Sequence, residues 1–214
     1  MEIQPRINHH ILHQHVIVEK WFHTPIGYVD LPIEEAEKIN DAILNWIDNN
    51  RSMVYPNSNE NVKYTYDSLS NVVKEPRLSF INEIFVKYAK EFLTEINIKK
   101  NTEIEVKYSW LNIFPPNAVE TAHVHHGNLF AGVYYVAGHD NTGNFVVDDP
   151  IDVRLLWYDN YRHYLIEDHN TLHYKPKTGR IIFFPSWLYH GVSKNNTNVD
   201  RISLAFNVNV SSRD

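Results

Sequence analysis

Apolar residues recur at two different periods along this chain, and the change falls near Lys100. Before it, Ala36, Ile39, Ile43, Trp46 and Ile47 return at helical spacing and predict a helix over residues 32–49. Pro32 suits its first turn, where a missing N–H costs no intrahelical bond. Ile81, Phe85, Tyr88 and Phe92 mark one face of a second helix over residues 79–96, with Ser79 as its expected N-cap. Residues 15–22 (HVIVEKWF) read as a strand. Residues 50–78 carry many Asn, Ser and Tyr and read as loop, either a substrate lid or a surface excursion.

After Lys100 the period shortens to two. Ile104, Val106, Tyr108 and Trp110 alternate with Glu103, Glu105, Lys107 and Ser109. Strand signals follow at 129–136, 144–147, 154–158, 172–174, 180–184, 189–192 and 201–210, with turn residues between them. Many short strands at this spacing predict a mainly β sandwich, jelly roll or barrel, with the two helices packed on one sheet. The expected organisation is a single domain, 1–214. Residues 1–100 form the strand and helical support, and 101–214 form the β core.

Composition narrows the chemistry. Of 214 residues, 43% are hydrophobic and 13% aromatic, enough for a packed core. The net charge of −6 leaves no basic surplus to release counterions from phosphates, which argues against a nucleic-acid partner. No apolar run reaches the ~20 residues of a membrane span. The start, MEIQPRINHHILHQH, lacks the basic and apolar regions of a signal peptide, so a cytoplasmic location without membrane contact is expected. There is no Cys, which removes disulfides, thiolate metal sites and cysteine nucleophiles. Any transition-metal site must then use imidazole and carboxylate, and the chain holds 13 His. No glycine-rich phosphate loop and no G-x-S-x-G elbow is present.

Three constellations carry candidate chemistry. In E-T-A-H-V-H-H-G, residues 120–127, His123 and His125 share one face of a strand and can converge on one ion. His126 and Glu120 fall on the other face. In G-R-I-I-F-F-P-S-W-L-Y-H-G-V, residues 179–192, His190 lies in an apolar setting. Taken alone it reads as a core or hairpin His; beside an upstream H-x-H it is the natural distal ligand. Arg201 follows His190 by eleven residues, after a turn at 194–198 that predicts a hairpin between their strands. Arg201 and Ser203 share one strand face. A guanidinium fork with a hydroxyl beside it binds a carboxylate, although a surface ion pair with Asp200 is the alternative for an isolated Arg. His9, His10, His13 and His15 read as an exposed segment, His139, His163, His169 and His173 as surface or structural residues, and Asp148-Asp149-Pro150 as a solvated turn.

These segments in this order (H-V-H, A-G-V-Y-Y-V, G-N-F-V-V-D-D-P, F-P-S-W-L-Y-H and R-I-S-L-A-F-N) resemble the iron(II)- and 2-oxoglutarate-dependent oxygenases. The likeness is greatest to the prolyl-hydroxylase-like type found in phages and marine bacteria, and it covers about residues 108–210. The resemblance implies a double-stranded β-helix of cupin-like jelly-roll form. By it, His123 and His190 match the two His of the metal triad, and Arg201 and Ser203 match the grip on the far carboxylate of 2-oxoglutarate. His125 stands where most of the superfamily has a carboxylate. It also implies Fe(II), 2-oxoglutarate and O2 as reactants, succinate and CO2 as products, and hydroxylation of a peptide side chain or small molecule. Tyr108, Asn112 and Tyr134 are candidates for the pocket wall. Two other readings compete: a cupin-like three-His metalloprotein of another reaction type, and a non-catalytic β-helix. The absence of a Glu about four residues after H-x-H, where Leu129 and Phe130 stand, weighs against the cupin reading.

Overall fold

The computed structural model describes residues 24–55, 63–65, 71–96, 102–150 and 171–211. The strands expected at 15–22 and 154–158, His9, His10, His13, His15, His163, His169 and parts of the 50–78 loop lie outside them. In chain order the elements are β1 (Gly27–Asp30), α1 (Ile33–Asn49), α2 (Arg51–Val54), β2 (Lys63–Tyr64), a 3-10 turn (Val72–Lys74) and α3 (Ser79–Glu95). Then come β3 (Ile104–Phe114), β4 (Glu120–His123), β5 (Phe130–Ala137), β6 (Phe145–Asp148), β7 (Thr171–Tyr174), β8 (Arg180–Pro185), β9 (His190–Val192) and β10 (Arg201–Val210).

Helix α1 buries the five residues whose spacing predicted it, Ala36, Ile39, Ile43, Trp46 and Ile47. Glu34 and Glu35 in its first turn complement the helix dipole. Helix α3 buries Ile81, Phe85 and Tyr88. Ser79 is not its cap: Leu78 takes that position, already near helical angles, and the Ser79 hydroxyl donates to Pro76 O at 3.2 Å. The chain enters through a preceding turn, Leu78 N–H to Glu75 O, so Ser79 already belongs to the helix.

Among the described residues ten strands form two sheets, ordered β1-β8-β5-β10-β3-β2 and β4-β9-β6-β7, with every ladder antiparallel. The large sheet is buried on both faces. One face meets α1 and α3 through Tyr134, Phe183, Leu204 and Phe206, with Phe85 stacked on Phe206 at 4.3 Å between ring centroids. The other face meets the small sheet through Ala131, Tyr135, Phe145, Val147, Ile182 and Phe184. Two facing antiparallel sheets with helices on the outside of one make this a double-stranded β-helix, mainly β with supporting helices.

The expected hairpin between the His190 and Arg201 strands does not form. β9 belongs to the small sheet and β10 to the large one. Asn195 makes the difference: its buried amide donates to Phe114 O at 2.9 Å and Val199 O at 2.8 Å, so the turn is held by a side chain rather than a ladder. His190 and Arg201 therefore face each other across the space between the sheets.

Candidate active site

Between the sheets lies a cavity of about 130 Å³. The β4–β9 ladder sets His123 directly opposite His190. His125 lies just past the end of β4, its backbone N–H donated to Ser186 O at 2.8 Å. One ligand atom from each of the three rings falls within 4.8 Å of the others. Gly191 allows the close approach of the two strands, since a Cβ there would stand 2.8 Å from Glu120 O.

The hydrogen bonds decide which nitrogens face inward. His123 Nδ1 lies 2.9 Å from Thr121 O, His190 Nδ1 2.7 Å from Leu188 O, and His125 Nδ1 2.7 Å from Asn207 Oδ1. Each of these oxygens is an acceptor, so Nδ1 carries the proton and donates. Nε2 is left with its lone pair, the form in which neutral imidazole binds a metal.

Burial keeps two of the rings neutral. It pushes His190 down to about 3, with the neighbouring His123 and His125 adding to the shift and the Leu188 bond opposing it. It also lowers His125, against the Asn207 bond. The ordinary value is about 6.5. Below that pH the unfolded chain takes up a proton that native His190 refuses. Its contribution to stability is therefore whole above pH 6.5 and is lost as the pH falls toward 3. The melting temperature of metal-free protein should drop between pH 6.5 and 4, and this slope should flatten in His190→Leu. Parallel melting curves for the two proteins would contradict it. Asp30, held at about 2 by Arg180 first and also by Lys177, titrates below that window.

The opposite wall is cationic. Arg201 is 2% exposed, with its guanidinium 4.2 Å over the Phe114 ring and its Nη1 donating to Gly143 O at 3.0 Å. Gly143 has φ +101, and a Cβ there would meet Ser193 O at 2.5 Å, so this carbonyl can be presented only by glycine. Arg201 Nε, Ser203 Oγ and Asn112 Oδ1 are buried without hydrogen-bond partners. Ser203 and Asn112 are register partners on β10 and β3, so all three open onto one face. An isolated buried cation costs several kcal/mol. A cation with unmet polar neighbours around one cavity is a receptor for an anion that itself brings acceptors.

His123, His125, His190, Arg201, Ser203 and Asn112 thus line one cavity, with Trp110, Phe145 and Phe184 as apolar wall. Two of the sequence candidates do not. Tyr134 points to the helix side, where its hydroxyl donates to Asn40 Oδ1 at 2.8 Å; its neighbour Tyr135 faces the cavity instead. Tyr108 lies one β repeat beyond Trp110, beside Lys107, off the cavity wall. Glu120 does line the cavity, against expectation, because the β4–β9 register shifts between Glu120 and His123 and turns it inward. Burial raises its carboxyl, with His123 and Arg201 opposing. Asn207 was missed, although it shares the strand parity of Arg201 and Ser203. His126, His139 and His173 are exposed, and Asp148 and Asp149 are half-buried near the surface.

The family described as "Putative 2OG-Fe(II) oxygenase" matches residues 108–207. No curated protein matches the sequence. Among solved structures, EctD from S. alaskensis with bound Fe is similar at 16% identity and TM-score 0.61, covering 87% of this chain and 73% of that one. HygX from Streptomyces hygroscopicus with nickel, 2-oxoglutarate and hygromycin B bound is similar at 11% identity and TM-score 0.56, over 88% and 84%. A 2OG-Fe(II) oxygenase family oxidoreductase from Burkholderia pseudomallei is similar at 15% identity and TM-score 0.55, over 86% and 84%. At these identities the likeness is one of fold. No helix among the described residues is long and apolar enough to cross a membrane.

Proposed function

We propose that this chain, whose residues 108–207 match that family, is an iron(II)- and 2-oxoglutarate-dependent oxygenase in which His123, His125 and His190 hold the iron. Arg201, Ser203 and Asn112 hold the co-substrate. The observation that carries this is one cavity with three converging imidazoles at one side and a buried Arg201 with unpaired neighbours at the other. The donor set fits the metal, since neutral imidazole is a legitimate iron ligand. Three neutral ligands leave a charge of +2, which the 2-oxoglutarate dianion balances.

The bound metal supplies the O2 chemistry that couples decarboxylation of 2-oxoglutarate, to succinate and CO2, with hydroxylation of a substrate C–H. The protein does the rest. Arg201 offers its fork to the far carboxylate, and Ser203 adds a hydroxyl donor. The Asn112 amide, whose oxygen is unpaired, can turn its nitrogen toward the same group. The Nδ1 hydrogen bonds hold the three rings in place, and Trp110, Phe145 and Phe184 keep water out.

The substrate we infer is a small molecule or a peptide side chain, presented at the cavity mouth, because about 130 Å³ is room for little beyond a co-substrate. The hygromycin B and 5-hydroxyectoine in the HygX and EctD structures support a small molecule. The prolyl-hydroxylase-like pattern, of phage and marine bacterial type, supports a peptide. We read the chain as one domain acting in the cytoplasm. The test is an anaerobic titration of metal-free protein with Fe(II), then 2-oxoglutarate. A weak visible charge-transfer band that needs both additions is expected. Iron uptake with no band would sink the oxygenase reading and favour a three-His site of another reaction type.

A further inference from the structure

His125 is oriented differently from its two companions. His123 and His190 are each locked by the backbone carbonyl two residues before them, Thr121 O and Leu188 O. No substitution of a side chain removes those carbonyls, and a carbonyl can only accept. His125 is locked by a side chain 82 residues away, the Oδ1 of Asn207 at 2.7 Å. An amide has two ends: its oxygen accepts from Nδ1–H and frees Nε2, whereas its nitrogen would donate to Nδ1 and put the proton on Nε2. The residue at 207 therefore decides whether His125 presents a lone pair or a proton.

The surroundings of Asn207 suit that task. It is 5% exposed and lies on the face of β10 that carries Arg201, Ser203 and Ala205 to the cavity. β10 is paired on both sides here, with Tyr108 of β3 and Ala131 of β5 as register partners. The β10–β3 register shifts between Asn207 and Val208, an irregularity of the kind that re-aims a side chain. Trp110 lies against His125, its ring 5.4 Å away, and narrows the orientations open to the imidazole.

We propose that Asn207 is the positioning residue that makes His125 a metal ligand, at the place where most of the superfamily carries a carboxylate. The proposal rests on the three-His reading above. It gives β10 two duties: its start holds the co-substrate carboxylate and its end fixes one metal ligand.

The test is Co(II) binding to metal-free protein, followed through the visible bands of the bound ion and by calorimetry, with melting curves in parallel. Outer partners of metal-bound His are worth about 10–100-fold in affinity. Asn207→Leu should weaken Co(II) binding by about that factor and alter the visible bands, with the metal-free melting temperature little changed. Asn207→Asp, which can only accept from Nδ1–H, should bind at least as tightly as wild type and keep its bands. A folded Asn207→Leu protein with wild-type affinity and bands overturns the proposal. So does a folded Asn207→Asp protein that binds about 10-fold weaker or worse. If the Leu variant does not fold, the Asp variant decides. Wild-type protein that takes up no Co(II) overturns the three-His reading itself, a result distinct from either.

Discussion

Replacing Arg201 by Leu abolishes 2-oxoglutarate-dependent succinate formation at ordinary co-substrate concentrations. The apparent affinity for 2-oxoglutarate falls by about 100- to 4,000-fold. Hydrogen bonds to charged groups contribute about 1.5–3 kcal/mol each, and a forked pair about 3–5 kcal/mol. Each 1.4 kcal/mol or so is a factor of ten. The folded protein should not suffer. Arg201 is a buried cation whose Nε has no partner, packed on Phe114 and near Tyr135. Replacing such a charge with an apolar side chain of similar reach is often neutral or stabilising. The melting temperature of Arg201→Leu should therefore equal or exceed wild type while co-substrate binding collapses. Arg201→Lys keeps the charge but not the planar fork, and recovers only part of the affinity. Isothermal titration with 2-oxoglutarate on the iron-loaded proteins, beside melting curves, measures both halves. An unchanged titration in the Leu variant would remove Arg201 from the co-substrate site.

What the sequence made legible follows from periodicity. The faces of α1 and α3 were readable because polar residues separate their apolar positions at 3.6 spacing. The clustering of the three His was within reach because H-x-H keeps two rings close in sequence, although His125 falls just past the end of β4 rather than on it. Arg201 and Ser203 were readable because β10 keeps one parity from 201 to 207. Parity failed where a strand is apolar on both faces. In β5, F-A-G-V-Y-Y-V-A, nothing marks which of two adjacent tyrosines faces the cavity, and Tyr134 and Tyr135 exchange roles. It failed again at Glu120, where a register shift rotates one residue inward. The path from His190 to Arg201 was misjudged for a third reason. A turn held by Asn195 and a turn that closes a hairpin look alike in sequence, and only the side-chain hydrogen bonds separate them. Asn207 was within reach of the parity argument, but its partner, His125, lies 82 residues away.

His190→Leu removes the proposed ligand that faces His123 across the β4–β9 ladder, and iron binding should fall by well over about 100-fold. The lower bound follows from comparison: losing an outer partner alone costs about 10–100-fold, and losing the ligand itself must cost more. Leu is the informative substitution because His190 is 5% exposed, with ring centroids 4.5 Å from Phe184 and 5.4 Å from Phe145. An aliphatic side chain fills that space, so loss of metal is not loss of fold. His125→Asp is the counterpart. It installs the carboxylate that most of the superfamily carries, and lowers the site charge from +2 to +1 before co-substrate arrives. Fe(II) should still bind, because a carboxylate suits Fe(II) as an imidazole does. The charge-transfer band formed with 2-oxoglutarate should shift in energy, because one ligand has changed from neutral nitrogen to anionic oxygen. Anaerobic Fe(II) titrations of the three proteins read both effects. Retained iron affinity in His190→Leu would show that the metal is held elsewhere. A His125→Asp band at the wild-type energy would show that residue 125 is not among its ligands.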